Sequence, residues 1–125
     1  MTFDDEQHAL WNGPAGRGWI AAQGTLDQMY QPFEDFLAAA AAEIAGGRVL
    51  DIGCGTGSTT RAAARGAADH CLGVDISAPM IAAAQARAER EGAPASFVCA
   101  DAETYAFAPA TFDLLISRFG VMFFA

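Results

Sequence analysis

The sequence predicts an α/β domain with a Rossmann-like, doubly wound parallel sheet, and three observations indicate it. From residue 48 onward, short apolar segments that end in glycine or an acid alternate with helical segments. This alternation favours parallel strands joined by right-handed crossovers. The first apolar segment runs into three glycines at alternate positions. The composition, 53% hydrophobic and 18% charged residues, is that of a chain that buries a core.

The first 47 residues show helical patterns and predict an N-terminal helical cap before the sheet. After Pro32, apolar residues recur at helical spacing, so we expect a helix with one apolar face and expect Phe33 and Phe36 in the core. The predicted elements are a helix over Phe3–Trp11, a glycine- and proline-rich turn over 12–18, a helix over Trp19–Tyr30 and a helix from Pro32 to Gly46-Gly47.

Residues 48–125 predict the sheet itself as a second unit. The link 100–111 is close to the shortest crossover, about 10–12 residues, so we expect its helix to be short or absent. The chain ends in an apolar segment, 120–125, which would leave an apolar end and an unpaired strand exposed. We therefore interpret the sheet as truncated after its fourth strand and the chain as a fragment. The predicted strands are 48–52, 71–75, 96–99 and 112–117, and the predicted helices are 58–65 and a helix that Ser77 caps and Gly92 ends.

The charge balance and the cysteines exclude several classes of protein. Seven basic residues, all arginine, stand against 15 acidic ones, so we expect no nucleic-acid partner. The absence of lysine excludes a P-loop nucleotide site and a Schiff-base enzyme. Three cysteines, Cys54, Cys71 and Cys99, have no zinc spacing and indicate reduced, buried thiols in a cytoplasmic protein. The apolar stretch 114–125 is shorter than the roughly 20 residues that span a bilayer, so we expect no membrane partner. Nothing in the sequence predicts an oligomeric state.

The strongest signal for a binding site is the glycine-rich turn after the first predicted strand, in which Gly53, Gly55 and Gly57 alternate with other residues. Glycine allows a sharp turn and lets a ligand approach the backbone. The next strand ends in Asp75, and an acid there can accept hydrogen bonds from both hydroxyls of a ribose. The pattern therefore predicts a nucleoside ligand across the carboxyl ends of the first two strands.

The residues around the turn favour one nucleoside over another. The dinucleotide pattern G-x-G-x-x-G would need glycine at Ser58 or at Thr60. The nearby basic residue, Arg61, lies a turn into the helix, while Asp51 precedes the first glycine by two residues. An acid at that place favours a cationic amine over a phosphate. A ribose, an amine and no phosphate describe S-adenosylmethionine (SAM) better than NAD.

Four blocks of sequence resemble the class I SAM-dependent methyltransferases. The stretch 49–57 resembles their first motif, and 73–77 resembles their acidic second motif. The stretch 100–102 resembles their third motif, and 112–119 the strand that carries the fourth. The resemblance covers 48–125, and the N-terminal segment also looks like that of small-molecule members. The early end of the chain departs from the family, whose later elements usually complete the substrate pocket.

The resemblance implies roles for particular residues. The glycine turn would lie under the methionine and the ribose, Asp51 would face the methionine amine, and Asp75 would bind the ribose hydroxyls. Ile76 would pack on the adenine, and Asp101 would accept a hydrogen bond from its amino group. Ser117 and Arg118 would border the methionine and the methyl acceptor. The predicted cofactor-binding residues are Asp51, Gly53, Cys54, Gly55, Gly57, Asp75, Ile76, Met80, Asp101, Ala102 and Ser117, with no metal ligand and no assigned catalytic residue.

Structural interpretations remain open beside these roles. Asp75 could favour the start of the following helix, Asp51 could bond the N–H groups of the loop, and Asp101 could be a turn residue. Arg118 could bind a substrate carboxylate or pair with Asp113. His8 could be a general base or a solvated side chain. Trp11, Trp19 and Tyr30 could form a lid over the cofactor or could pack the helices together.

The sequence thus predicts methyl transfer from SAM to a small-molecule acceptor, with this chain as the cofactor-binding half. Two alternatives remain: a fragment that binds SAM without turnover, and an NAD-dependent oxidoreductase.

Overall fold

The sheet is parallel and has four strands in the order β3-β2-β1-β4. The computed structural model describes residues 2–44, 46–66 and 70–124. Pairing joins Ile52 to Val74 and Asp75 to Cys99, so the carboxyl ends of β1, β2 and β3 meet at one edge. The predicted fold class is therefore confirmed. The strands are β1 Arg48–Ile52, β2 His70–Asp75, β3 Ala95–Cys99 and β4 Leu114–Ile116.

Two helices follow the first two strands, at the positions that the sequence predicts. They are α5, Ser58–Arg65, and α6, Ala78–Glu91. The Ser77 hydroxyl accepts a hydrogen bond from the Met80 N–H at the start of α6, and Gly92 ends this helix in the left-handed conformation. Both ends of α6 therefore confirm the prediction, since a serine cap and a terminal glycine satisfy orphan backbone groups.

The core lies between the sheet and these helices. Val49 and Cys71 pack with Ala63 and Ala64 of α5, whereas Phe97 packs with the apolar side of α6. The link between β3 and β4 has turns but no helix, as its length predicts. The fourth strand is shorter than predicted, because only 114–116 pair with β1.

Four helices precede the sheet. They are α1 Phe3–Asn12, α2 Pro14–Ala21, α3 Gln23–Met29 and α4 Gln31–Ala42. The predicted long turn over 12–18 is wrong, since α1 ends at Asn12, α2 begins at Pro14 and only Gly13 lies between them. Gly16 within α2 is buried where a side chain would overlap the Trp11 carbonyl, so close packing explains a glycine that reads as a turn residue.

The cap is joined to the core directly. The Asn12 side chain donates to the Ile76 carbonyl and accepts from the Ala78 N–H, both at 2.9 Å. The Ser77 hydroxyl donates to the Trp11 carbonyl at 2.5 Å. These bonds fix the end of α1 against the segment that follows β2. The division of the chain at residue 47 into two domains stays a prediction.

The apolar face of α4 is rotated from its predicted position. Phe33 and Phe36 are 51% and 74% exposed, so the prediction that both are core residues is wrong. The buried side of the helix carries Glu34 and Ala41, and the polar partners of Glu34 fix this rotation. Phe97, by contrast, is 8% exposed and lies in the core.

The prediction that all three cysteines are buried is confirmed for two of them and is wrong for the third. Cys54 and Cys71 are buried free thiols, as predicted, and burial raises the pKa of Cys71 to about 12. Cys99 is exposed, which contradicts the prediction, because it ends the edge strand β3. In the described ranges, no helix is long and apolar enough to cross a membrane.

Candidate cofactor-binding site

The glycine turn after β1 depends on backbone conformations that favour glycine. Gly53, Gly55 and Gly57 all have positive φ, at 69°, 55° and 82°. The N–H groups of Gly53 and Cys54 both donate to the Val74 carbonyl, at 2.8 and 3.1 Å. These bonds tie the turn to the end of β2. The three glycines thus place a backbone surface beside the tip of the neighbouring strand.

The turn also touches the segment after β4. A Cβ atom at Gly53 would overlap the Cα atom of Gly120, and one at Gly120 would overlap the Ile52 carbonyl. Ser117 supports this contact, because its hydroxyl donates to the Ile52 carbonyl at 2.8 Å and accepts from the Val121 N–H at 3.3 Å. Two glycines are therefore required where the two segments cross.

Asp75 at the tip of β2 joins two pieces of backbone. One carboxylate oxygen accepts from the Gly55 N–H at 2.8 Å, and the other accepts from the Ser77 N–H at 2.9 Å. Burial raises the pKa of Asp75, and these backbone hydrogen bonds oppose that shift. The carboxylate thus fixes the glycine turn and the start of α6, and it also lines the cleft described below. The structural and binding interpretations of this residue are compatible.

Asp51 near the end of β1 is almost fully buried, with 1% exposure. Its carboxylate accepts from the Thr60 hydroxyl at 2.7 Å and not, in the described structure, from an N–H group of the loop. Burial raises the pKa of Asp51 to about 7, while the Thr60 hydrogen bond and the Arg118 charge act to lower it. A buried acid that titrates near neutral pH is typical of functional sites.

Arg118 lies next to Asp51, just after β4. Its guanidinium lies 5.3 Å from the centre of the Tyr30 ring, and its Nη1 atom lies 3.8 Å from a Glu34 carboxylate oxygen. Nη1 is buried and has no hydrogen-bond partner in the structure. The predicted alternative of a pair with Asp113 is wrong, since the Asp113 carboxylate accepts from the Arg48 N–H at 2.8 Å.

Two buried polar residues of this region, one beside Arg118 and one in the lining of the cleft, were not predicted. Glu34 is buried and accepts from the Ser58 hydroxyl at 2.5 Å. Its signal in the sequence is an acid at helical spacing from Leu37 and Ala41, on the side of α4 that packs inward. The other is Thr59, which is 3% exposed and whose hydroxyl has no hydrogen-bond partner in the structure.

The third acid, Asp101, follows β3. Its carboxylate accepts from the Glu103 N–H at 2.9 Å and its carbonyl accepts from the Tyr105 N–H, so it does form a turn, as the structural interpretation expects. Asp101 and Ala102 nevertheless line the cleft. His8 is exposed and does not line the cleft, in agreement with a solvated side chain.

One cleft brings most of the predicted residues together. Gly57 does not line it, since it packs against Ala84 and Phe97, and Ser117 lies just behind it. In the described part of the chain, no group of three or more metal-ligating side chains is present. The predicted residues that line the cleft are Asp51, Gly53, Cys54, Gly55, Asp75, Ile76, Met80, Asp101 and Ala102.

Aromatic rings border the same cleft. Trp11 lies 5.0 Å from Phe123 and 6.2 Å from Trp19, ring centre to ring centre. Trp19 stacks on Tyr30, which meets Phe119 edge-on at 5.5 Å. We name these five residues the aromatic wall. It joins the N-terminal helices to the segment after β4, in agreement with the packing interpretation, while the lid interpretation stays a prediction.

Residues 49–125 match the family model of a methyltransferase domain. The chain belongs to the class I SAM-dependent methyltransferases. The match includes the glycine turn, all three acids at the strand ends and the segment after β4.

The curated relatives differ in how much of their length this chain covers. An uncharacterized protein of Mycobacterium tuberculosis is 34% identical over 97 residues, 78% of this chain and 35% of the relative. Phosphoethanolamine N-methyltransferase 1 of Triticum aestivum is 39% identical over 74 residues, 59% of this chain and 15% of that enzyme. The chain thus spans about a third, or less, of these curated relatives.

A solved methyltransferase has the same fold over the whole chain. Magnesium protoporphyrin IX methyltransferase of Synechocystis PCC 6803, solved with bound SAM, matches with a TM-score of 0.81. The identity is 21%, and the match covers 100% of this chain and 65% of that one. At this identity the likeness shows the fold alone.

Proposed function

We propose that this chain binds SAM in the cleft and forms the cofactor-binding half of a methyltransferase that acts on a small molecule. One observation carries the proposal: Asp51, Asp75 and Asp101, from the ends of three adjacent strands, line one cleft together with the glycine turn. This arrangement offers carboxylates to an amine, a ribose and an adenine in order along the sheet edge. The proposal includes a small-molecule acceptor, catalytic turnover and a cytoplasmic location.

The inner end of the cleft suits a zwitterionic amino acid group. Asp51 offers a negative charge to an ammonium, and burial strengthens the attraction between the two charges. The Arg118 Nη1 atom and the Thr59 hydroxyl, both buried without hydrogen-bond partners, offer donors to a carboxylate. Leaving such donors unpaired costs about 1–3 kcal/mol each, so a ligand that satisfies them gains affinity.

The middle and the outer end suit an adenosine. Asp75 already orients the Gly55 N–H, and its position beside the glycine turn lets its oxygens accept from ribose hydroxyls. Ile76 and Met80 offer apolar contacts for the adenine, and Asp101 with the Ala102 backbone offers polar ones. These residues would bind the adenosine and orient it in the cleft.

The chemistry demands little more of the protein. Bound SAM supplies a methyl group that its sulfonium already activates. The residues of the cleft therefore contribute mainly alignment, which supplies roughly 7–11 kcal/mol in favourable cases. A general base is required only if the acceptor must lose a proton during the reaction.

The same contacts argue against a dinucleotide. Ser58 and Thr60, which occupy the glycine positions of that pattern, direct their hydroxyls to the buried acids Glu34 and Asp51. Arg61 is paired with Glu91, and its Nε donates to the Gly57 carbonyl at 3.2 Å, so its guanidinium is already engaged. A diphosphate would therefore face two carboxylates at the start of α5 without a free cation, which disfavours an NAD-dependent oxidoreductase.

Calorimetry with SAM, S-adenosylhomocysteine and NAD tests the proposal. We expect binding of the first two and no heat with NAD. Binding of NAD without a response to SAM would refute it. A radiolabelled-methyl assay over a panel of small acceptors then separates transfer from binding without turnover, because the second alternative predicts saturable SAM binding and no labelled product.

A further inference from the structure

Part of the cleft is left over once the cofactor's groups have been assigned. It carries Trp11, Trp19, Phe119 and Phe123 of the aromatic wall, and Asp4 at its rim. Gly120, which follows Phe119 and lines the same cleft, packs against Gly53 of the glycine turn. The space beside the aromatic wall therefore borders the place between Asp51 and Asp75 where the sulfonium methyl group would lie. A methyl acceptor must enter here.

The charges of the cleft select among acceptors. The described side chains that line it include five acids, Asp4, Asp51, Asp75, Asp101 and Glu103, and one base, Arg118. Arg118 already faces Glu34 at 3.8 Å and lowers the pKa of Asp51, and we assign its unpaired Nη1 atom to the carboxylate of the cofactor. No described basic side chain of the cleft remains for a second anion.

We infer that the acceptor is an amine with an aromatic or similarly flat apolar body, and not a phosphate or carboxylate compound. The inference rests on the proposed function. An ammonium gains from the acidic rim and from the faces of aromatic rings, which attract cations. A flat apolar body gains from stacking on the same rings. A phosphate or a carboxylate would be repelled by the acidic rim, and no described basic side chain of the cleft remains to pair with it.

The reaction of such an acceptor balances simply. The amine releases its proton to solvent and enters the reaction as the free base. Its nitrogen lone pair forms the new bond to the methyl carbon while the bond from that carbon to sulfur breaks. The electron pair of the broken bond stays on sulfur, so the positive charge passes from sulfur to nitrogen and S-adenosylhomocysteine remains.

A series of compounds that share one phenyl ring tests the inference, because its members differ mainly in the charge of the attached group. The probes are benzylamine, benzyl alcohol, benzoate and phenyl phosphate, added to protein that is saturated with S-adenosylhomocysteine. The two tryptophans of the chain, Trp11 and Trp19, both line the cleft, so their fluorescence reports binding. We expect benzylamine to bind at least about tenfold more tightly than benzoate, with phenyl phosphate weakest.

The variant Asp4→Asn locates the effect, and Glu6→Gln, an acid of the same helix that does not line the cleft, is its control. We expect the preference for benzylamine to fall severalfold in Asp4→Asn and to stay unchanged in Glu6→Gln. Equal loss or equal retention in both variants would overturn the inference, as would benzoate or phenyl phosphate binding as tightly as benzylamine, or no response to any probe. Failure of S-adenosylhomocysteine to bind would instead overturn the proposed function.

Discussion

Gly53 and Gly120 cross so closely that neither position has room for a side chain. The first lies in the turn after β1 and the second in the segment after β4, and both line the cleft. Gly53 also needs the left-handed backbone conformation, with φ at 69°. Two independent requirements thus fall on one residue.

The substitution Gly53→Ala tests this crossing. Its φ alone costs about 1 kcal/mol or more for a residue with a Cβ atom, and the overlap with Gly120 adds to that cost. We expect a loss of unfolding free energy and loss of SAM binding by calorimetry. Gly92→Ala is the matched control, since Gly92 has φ of 64° with nothing within 4 Å of an added Cβ atom. If both variants lose equal stability and Gly53→Ala still binds SAM, the crossing has no role in the cleft.

The glycine turn and the strand-end acids could be predicted from the sequence because their causes are local. A glycine at positive φ and an acid at or near the end of a buried strand leave a signature within a few residues. The termini of α6 are of the same kind, since Ser77 and Gly92 cap the helix that they adjoin.

The part of the site formed by distant residues could not be predicted. Glu34 meets Ser58 and Arg118 only after α4 has packed against α5, and these contacts hold the Glu34 side of α4 inward together with Leu37 and Ala41. Hydrophobicity alone therefore places Phe33 and Phe36 in the core, where the structure does not have them. A buried polar contact outweighs the apolar pattern at these positions.

A pair of phenylalanine substitutions tests that rotation of α4. Phe97→Ala should cost about 3–5 kcal/mol of unfolding free energy, because the ring is buried between α6 and the sheet. Phe36→Ala should stay within about 0.5 kcal/mol of the parent chain, because this ring is 74% exposed. Urea unfolding followed by circular dichroism measures both. A cost at Phe36 as large as that at Phe97 would show that α4 packs with the opposite side inward.

Asp75→Ala tests the ribose assignment. The carboxylate both orients the Gly55 N–H and offers its oxygens to the ligand, so we expect SAM binding to weaken by about 1–3 kcal/mol. Asp113→Ala is the control, because it removes a carboxylate that also accepts a backbone hydrogen bond, at 2.8 Å, but does not line the cleft. Calorimetry on both variants should show the loss in the first alone. Unchanged affinity in Asp75→Ala would count against the assignment.

Asp51 makes the stability of the protein depend on pH. Its folded pKa of about 7 lies above the ordinary value of 3.8, so the folded state binds this proton more tightly than the unfolded state does. The contribution to stability is complete below about pH 4 and is lost as pH rises to about 7, by up to about 4 kcal/mol. Urea unfolding at a series of pH values should therefore show a steeper fall between pH 4 and 7 in the parent chain than in Asp51→Asn.

The same carboxylate gives the cofactor a pH dependence of opposite sign. A ligand ammonium pairs with the ionised form of Asp51, so binding lowers its pKa and releases a proton below about pH 7. We expect the affinity for S-adenosylhomocysteine to rise with pH up to about 7, by at most about tenfold for each pH unit, and to level off above it. Calorimetry in buffers of different ionisation enthalpy measures the released proton directly. Asp51→Asn should bind S-adenosylhomocysteine more weakly and without proton release. If the affinity of the parent chain does not change between pH 5 and 7, Asp51 does not face the amine.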